Sequence, residues 1–298
     1  MELLGCGTAL VTPFRGDESV DEAALRSLVE WQIASGIGFL IPCGTTGEAA
    51  TLSEQEWLRV VEITVETAAG RVPVFGGCTN NATHEAVTKA KRLTQLKGLT
   101  GILTANPYYN KPGQEGQYRH FRAIAEAVDL SVLLYNIPGR TGVNLEPATV
   151  LRLAELPNVI GIKESSGNIA QITELITSAP TGFKVFAGDD SVALPVIALG
   201  GAGLVSVASN AIPAEMSAMV RAALDGDWAT ARSVNRRYFR LMQAHFWEAS
   251  PAPVKAVMKM LGRGEDVLRL PIVPVSEGTR ARLESLLVEL GLTAPVTA

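Results

Sequence analysis

Cysteine and histidine are scarce in this chain of 298 residues, with three of each. The cysteines stand at 6, 43 and 78, odd in number and without a CxxC pair. A disulfide framework is therefore not expected, and a reducing cytoplasm fits. His84, His120 and His245 fall in segments of helical pattern, so no metal-ligand set emerges and no metal or other cofactor is expected. A dominant charge is missing too. The formal net charge of −4 leaves no electrostatic footprint for nucleic acid or an anionic membrane. The one basic cluster, Arg232, Arg236, Arg237 and Arg240, has the spacing of a solvated helix face. Met1-Glu2-Leu3-Leu4 lacks the basic-then-apolar pattern of a signal peptide. Residues 192–208 come nearest to a membrane span, but Pro195, Gly200, Gly201 and Gly203 divide them into a buried helix, a turn and a strand. Low-complexity tracts and short repeats are absent.

What is present is a hydrophobic fraction of 47%, enough for a large core. Short apolar runs alternate with longer amphipathic segments. Strands are predicted over 7–11, 38–43, 72–78, 101–105, 131–136, 159–164, 184–187 and 203–208. Each is apolar on both faces, as strands of a parallel sheet covered on two sides must be. Helices are predicted over 21–35, 53–69, 82–97, 114–128, 146–155, 169–178, 191–199 and 213–224. Ser53, followed by Glu54 and Glu56, reads as one N-cap with an acidic first turn. Eight strand–helix units predict a (β/α)8 TIM barrel in the α/β class. An open doubly wound sheet would carry GxGxxG in its first turn, and Gly5-Cys6-Gly7-Thr8-Ala9-Leu10 lacks the third glycine. The expected division is a barrel carrying the active site over 1–224 and a helical extension over 225–298, with helices at 227–247, 253–261 and 276–290.

Barrel chemistry sits at the C-terminal strand ends. Lys163, in Val159-Ile160-Gly161-Ile162-Lys163-Glu164-Ser165, stands at such an end. Desolvation disfavours an ammonium, and a neutral amine attacks a ketone to form an imine. The bland reading is a lysine that reaches the rim or pairs with Glu164. Gly44-Thr45-Thr46-Gly47-Glu48 follows the second strand and offers amides and hydroxyls to a carboxylate; equally, it reads as a polar turn with Glu48 folded onto backbone amides. Tyr135 ends the fifth strand, where its hydroxyl suits proton transfer or core packing. Arg140, in a turn set by Pro138-Gly139, suits a second carboxylate or a surface salt bridge. Tyr108 and Tyr109 form an aromatic pair of the kind that marks interfaces or ligand walls rather than core. Asp189 and Asp190 lack supporting ligands and read as caps of the next helix.

Taken together, GTTGE, PYYNKP, YNIPGRTG, IGIKESSG, AGDD, GGAGLVSV and SPAPVK stand in the order and spacing of the dihydrodipicolinate synthase family. The chain resembles that family over nearly its whole length. The family falls within the pyruvate-dependent class I aldolases, which include N-acetylneuraminate lyase. The resemblance implies a cytoplasmic homotetramer condensing pyruvate with aspartate semialdehyde, without a cofactor. It implies that Lys163 forms the imine, that Tyr135 is the general acid–base, and that Thr45 and Tyr109 relay protons, Tyr109 from a neighbouring subunit. Thr46 would hold the pyruvate carboxylate and Arg140 that of the aldehyde, with the backbone of Gly188 and Val205 lining the site. Of a lysine-binding regulatory pocket, Asn81, Glu85 and Tyr108 remain. Two histidines of lysine-inhibited relatives are matched here by Glu54 and Trp57, which implies weak or absent feedback by lysine. Rival readings are a lyase for a longer 2-oxo acid such as sialic acid, a non-catalytic barrel, and a sugar-phosphate isomerase; the last lacks a phosphate loop near the seventh and eighth strands.

Overall fold

The computed structural model describes residues 3–294. Eight strands run parallel: β1 (Gly5–Ala9), β2 (Phe39–Ile41), β3 (Phe75–Gly77), β4 (Gly101–Ala105), β5 (Ser131–Asn136), β6 (Val159–Glu164), β7 (Lys184–Ala187) and β8 (Gly203–Ser206). Their ladder order is β2-β1-β8-β7-β6-β5-β4-β3. The seam between β2 and β3 is stitched by a Leu40–Val74 bridge and by the Gly77 amide donating to the Pro42 carbonyl at 2.9 Å. Around the strands lie α1 (Glu22–Ala34), α2 (Glu54–Ala68), α3 (Thr83–Leu93), α4 (Gln114–Glu126), α5 (Pro147–Leu153), α6 (Ile169–Ser178), α7 (Ala193–Ala198) and α8 (Pro213–Leu224). Beyond them come α9 (Trp228–Ala244), α10 (Ala252–Met260) and α11 (Glu277–Glu289). This is a TIM barrel with C-terminal helices. No helix among the described residues is long and apolar enough to cross a membrane.

Side-chain alternation along the strands builds two cores. Outward residues such as Leu40, Ile102, Leu134 and Ile162 pack beneath the helices, while Phe39, Phe75, Leu103, Leu133, Phe186 and Val205 fill the lumen. Phe39 meets Phe186 edge-on at 5.2 Å and Phe75 at 6.3 Å between centroids. The close fit dictates Gly7, since a Cβ there would stand 2.1 Å from the Phe39 ring. The aromatic plug makes the barrel a packed core with a floor, so chemistry is confined to the mouth above it.

β4, β5, β6 and β7 have the bounds expected from sequence; the others are shorter or shifted. β2 stops at Ile41 because Pro42 has no amide to give, and β3 starts only after Pro73. β1 spans 5–9, and past it the Val11 amide turns to the Asn210 side chain at 3.0 Å. β8 ends at Ser206 because the next two amides donate to the Asp190 carboxylate, each at 3.1 Å. That corrects the reading of both aspartates as helix caps. Asp189 does cap the turn that follows it, accepting from the Ser191 amide at 2.8 Å, but Asp190 is spent on β8. Residues 191–199 are accordingly a 3-10 turn (Asp190–Val192) followed by short α7. The Ser53 cap of α2 is present as a full capping box with Glu56.

Candidate active site

Lys163 and Tyr135 are the penultimate residues of β6 and β5 and register partners across that ladder. Both side chains point into the mouth above the phenylalanine plug. Lys163 is 4% exposed, with Nζ 4.4 Å from the centroid of the Tyr135 ring. No carboxylate and no hydrogen-bond acceptor engages Nζ among the described residues. The alternative pairing with Glu164 does not occur, because consecutive strand residues face opposite sides. Glu164 lies under the helices, where its carboxylate accepts from Asn136 Nδ2 at 3.0 Å, the Ser166 amide at 2.6 Å and Gln171 Nε2 at 3.1 Å. This buried network holds β5 and β6 together directly behind Tyr135 and Lys163.

The Gly44–Glu48 turn follows β2. The Gly47 and Glu48 amides donate to the Gly44 and Thr45 carbonyls, both at 3.1 Å, so they are not free for an anion. The amides of Thr45 and Thr46 and the Thr46 hydroxyl make no hydrogen bond among the described residues; Thr46 is buried and Thr45 exposed. Cys43 and Glu48 bracket the turn with φ of 56° and 53°, a conformation costly for residues other than glycine. Glu48 is not folded onto the amides of its own turn. It turns away to Lys255 of α10, whose Nζ lies 2.5 Å from Glu48 Oε1.

Arg140 is exposed in a single helical turn, Pro138–Thr141, after β5, and no carboxylate pairs with it among the described residues. Tyr109 is 89% exposed with φ of 74°, in the loop after β4. Gly188 follows β7 in close approach, since a Cβ there would sit 1.9 Å from Ser165 Oγ and 3.0 Å from Lys163 Cγ. Val205 faces the lumen from β8. Lys163, Tyr135, Gly188 and Val205 are thus carried by four neighbouring strands or their ends, whereas Tyr109 stands in solvent.

Asn81, Glu85 and Tyr108 lie on the β3–α3 and β4–α4 side. The Asn81 carbonyl accepts from Asn110 Nδ2 at 3.0 Å, and Glu85 pairs with His84 at 3.3 Å. Trp57 is buried, its indole N–H donating to the Gly77 carbonyl at 2.8 Å, and Glu54 pairs with Arg92 on the surface. The three cysteine thiols are buried; burial pushes Cys78 up to about 12 and raises Cys6 and Cys43 as well, which makes all three inert hydrophobes.

Residues 2–290 match the model of the Dihydrodipicolinate synthetase family. The chain belongs to that family. The chain is 64% identical to the 4-hydroxy-tetrahydrodipicolinate synthase of Acidobacterium capsulatum, covering 98% of this chain and 97% of that one. The crystal structure of dihydrodipicolinate synthase from Thermotoga maritima superposes with a TM-score of 0.95 at 40% identity, covering 98% of this chain and 100% of the other. A dihydrodipicolinate synthase from Acinetobacter baumannii complexed with pyruvate gives a TM-score of 0.95 at 39% identity, over 97% and 99% of the two chains.

Sequence reasoning on this family member missed two groups. Glu164, Asn136 and Gln171 went unassigned, although a carboxylate and an amide each adjacent to a mouth residue mark the outward face of the same strands. Lys255 went unassigned inside SPAPVK. Its signal was a lysine set among apolar residues, Ala252-Pro253-Val254 before it and Ala256-Val257-Met258 after, in the helix Ala252–Met260.

Proposed function

We propose that this chain condenses pyruvate with L-aspartate 4-semialdehyde to give 4-hydroxy-tetrahydrodipicolinate, on the route to diaminopimelate and lysine. The observation that carries the reading is Lys163, enclosed at the barrel mouth beside Tyr135 and without a counter-ion. Its amine adds to the C2 carbonyl of pyruvate, and loss of water gives the imine. The imine draws electrons from the methyl group, and a proton leaves it to form an enamine. The enamine carbon attacks the aldehyde, whose oxygen takes up a proton. The amino group of the aspartate unit then attacks the imine carbon, closing the ring and freeing Lys163.

Every step moves a proton, and Tyr135, over whose ring Nζ sits, is the general acid–base. Thr45 and Tyr109 extend a relay toward solvent, with Tyr109 supplied by a neighbouring subunit. Its exposure on its own chain supports that exchange and with it a homo-oligomer, read as a tetramer in the cytoplasm. The free amide and hydroxyl of Thr46 hold the pyruvate carboxylate, and Arg140, unpaired, receives that of the aldehyde. Gly188 and Val205 wall the pocket. Residues 1–224 form the catalytic barrel, and 225–298 the extension. Asn81, Glu85 and Tyr108 remain of a regulatory pocket; with Glu54 and Trp57 engaged elsewhere, free lysine inhibits only at millimolar concentration or not at all. An inhibition curve reaching half effect below millimolar lysine contradicts that point.

The test is a pair of assays: pyruvate with aspartate semialdehyde, and cleavage of sialic acid. Turnover in the first supports the reading. Turnover confined to the second refutes it in favour of a lyase for longer 2-oxo acids.

A further inference from the structure

Glu48 and Lys255 form the most enclosed ion pair in the described chain, each side chain 1% exposed. Lys255 Nζ also donates to the Val267 carbonyl at 2.9 Å, and Glu48 Oε2 accepts from the Arg269 amide at 3.3 Å. Phe14, from the loop after β1, lies between two cations, 4.3 Å from Lys255 Nζ and 4.5 Å from the Arg269 guanidinium. Arg269 continues outward to Glu56 Oε1 at 2.5 Å and to the Glu18 carbonyl at 2.6 Å. The cluster thus ties the loops after β1 and β2 to the C-terminal helices.

Stability alone is a poor reason for such a pair, since apolar residues of the same volume commonly serve as well or better. Its placement gives a better one. Glu48 closes the turn that presents the free Thr45 and Thr46 amides, and the turn holds two non-glycine residues at positive φ. Such strain persists only where the surroundings over-determine the conformation. The Thr12 hydroxyl, donating to the Gly47 carbonyl at 2.7 Å, clamps the same turn from the β1 side.

We propose that Glu48 and Lys255 are positioning residues: held together behind the Thr45-Thr46 turn, they set its geometry and hence the affinity for the carboxylate of the 2-oxo acid. Neither touches the reacting atoms. The C-terminal helices are then a working part of the site. The inference rests on the reading that Thr46 binds pyruvate and Lys163 forms the imine. Arg140, on the turn after β5, is not part of the cluster, so the two substrates respond differently.

Borohydride trapping of the Lys163 imine at graded pyruvate tests this on the parent, on Lys255→Met and on Glu48→Gln/Lys255→Met, with native folding checked by circular dichroism. Lys255→Met, which strands the Glu48 carboxylate, needs about tenfold more pyruvate for half-maximal trapping, while KM for aspartate semialdehyde at saturating pyruvate stays within about twofold. The double variant leaves no buried charge unpaired; it regains much of the thermal stability but keeps a pyruvate requirement about threefold above the parent. If Lys255→Met does not fold, the double variant alone decides. Parent-like pyruvate dependence in a folded variant overturns the inference, and so does an equal rise for both substrates. No adduct on Lys163 of the parent overturns the underlying reading instead.

Discussion

Among the described residues two lysines are enclosed, and their surroundings differ. Lys255, between the barrel and the C-terminal helices, has a carboxylate at 2.5 Å and a carbonyl at 2.9 Å. Lys163, at the barrel mouth, has an aromatic face and no anion. Burial pulls the Lys255 amine below the ordinary lysine value, and the Glu48 carboxylate opposes that pull. A buried charge with its counter-ion is architecture; an amine left without one is available for covalent chemistry. The strand period enforces the contrast, because it sends Glu164, next in sequence to Lys163, to the far side of the sheet.

The largest effect that can break this comparison is on turnover. Lys163→Met lowers the rate of pyruvate–aldehyde condensation by about 10³-fold or more. A variant retaining a tenth of parental activity ends the distinction between the two lysines.

Next comes stability. Lys255→Met leaves Glu48 buried and unpaired and costs about 3–5 kcal/mol in urea unfolding. A cost under about 1 kcal/mol, the range of exposed pairs, means that Glu48 reaches water and the pair is not enclosed.

Three other buried groups sharpen the picture through pH. Burial holds His120 down at about 4 and His245 at about 3, so both are neutral in the fold. The unfolded chain binds more protons than the folded one below pH ~6.5; stability present above that value is lost as pH falls toward their folded values. Asp190 acts in the opposite sense. Burial raises its carboxyl to about 6 against the Ser206 and backbone hydrogen bonds, so its contribution is present below the unfolded value near 4 and lost as pH rises through about 6. Between pH 7.5 and 5 the histidines remove about 2 kcal/mol each and Asp190 adds about 1, a net loss of about 3 kcal/mol. Urea unfolding at the two pH values measures it, and His245→Phe should remove roughly two thirds of the fall. A flat profile contradicts the buried, neutral state of both rings.

The smallest effect is again at Lys163. Lys163→Met relieves an uncompensated buried amine and raises stability by about 1 kcal/mol, a few degrees or less in Tm. A loss of more than about 1 kcal/mol means that the side chain serves packing after all.

Much of this was legible in the sequence, for a physical reason. Strands covered on both faces are continuous apolar runs, so β4 to β7 emerge with their bounds, and barrel geometry then gathers Lys163, Tyr135, Gly188 and Val205 from segments far apart in the chain. Strand ends were less legible where they depend on partners: β8 ends at a carboxylate delivered from Asp190, and β2 and β3 are trimmed by prolines. Glu48 was the hardest residue to read. A carboxylate in a glycine turn has several satisfactory partners, and the one it takes lies 207 residues away on an element whose docking no local pattern reveals.

The measurement that bears most directly on the central claim is reduction with borohydride in the presence of pyruvate, followed by mass mapping of the peptides. A carboxyethyl addition is expected on Lys163 and none on Lys255. An adduct on Lys255 or on a surface lysine, with Lys163 unmodified in active enzyme, contradicts it.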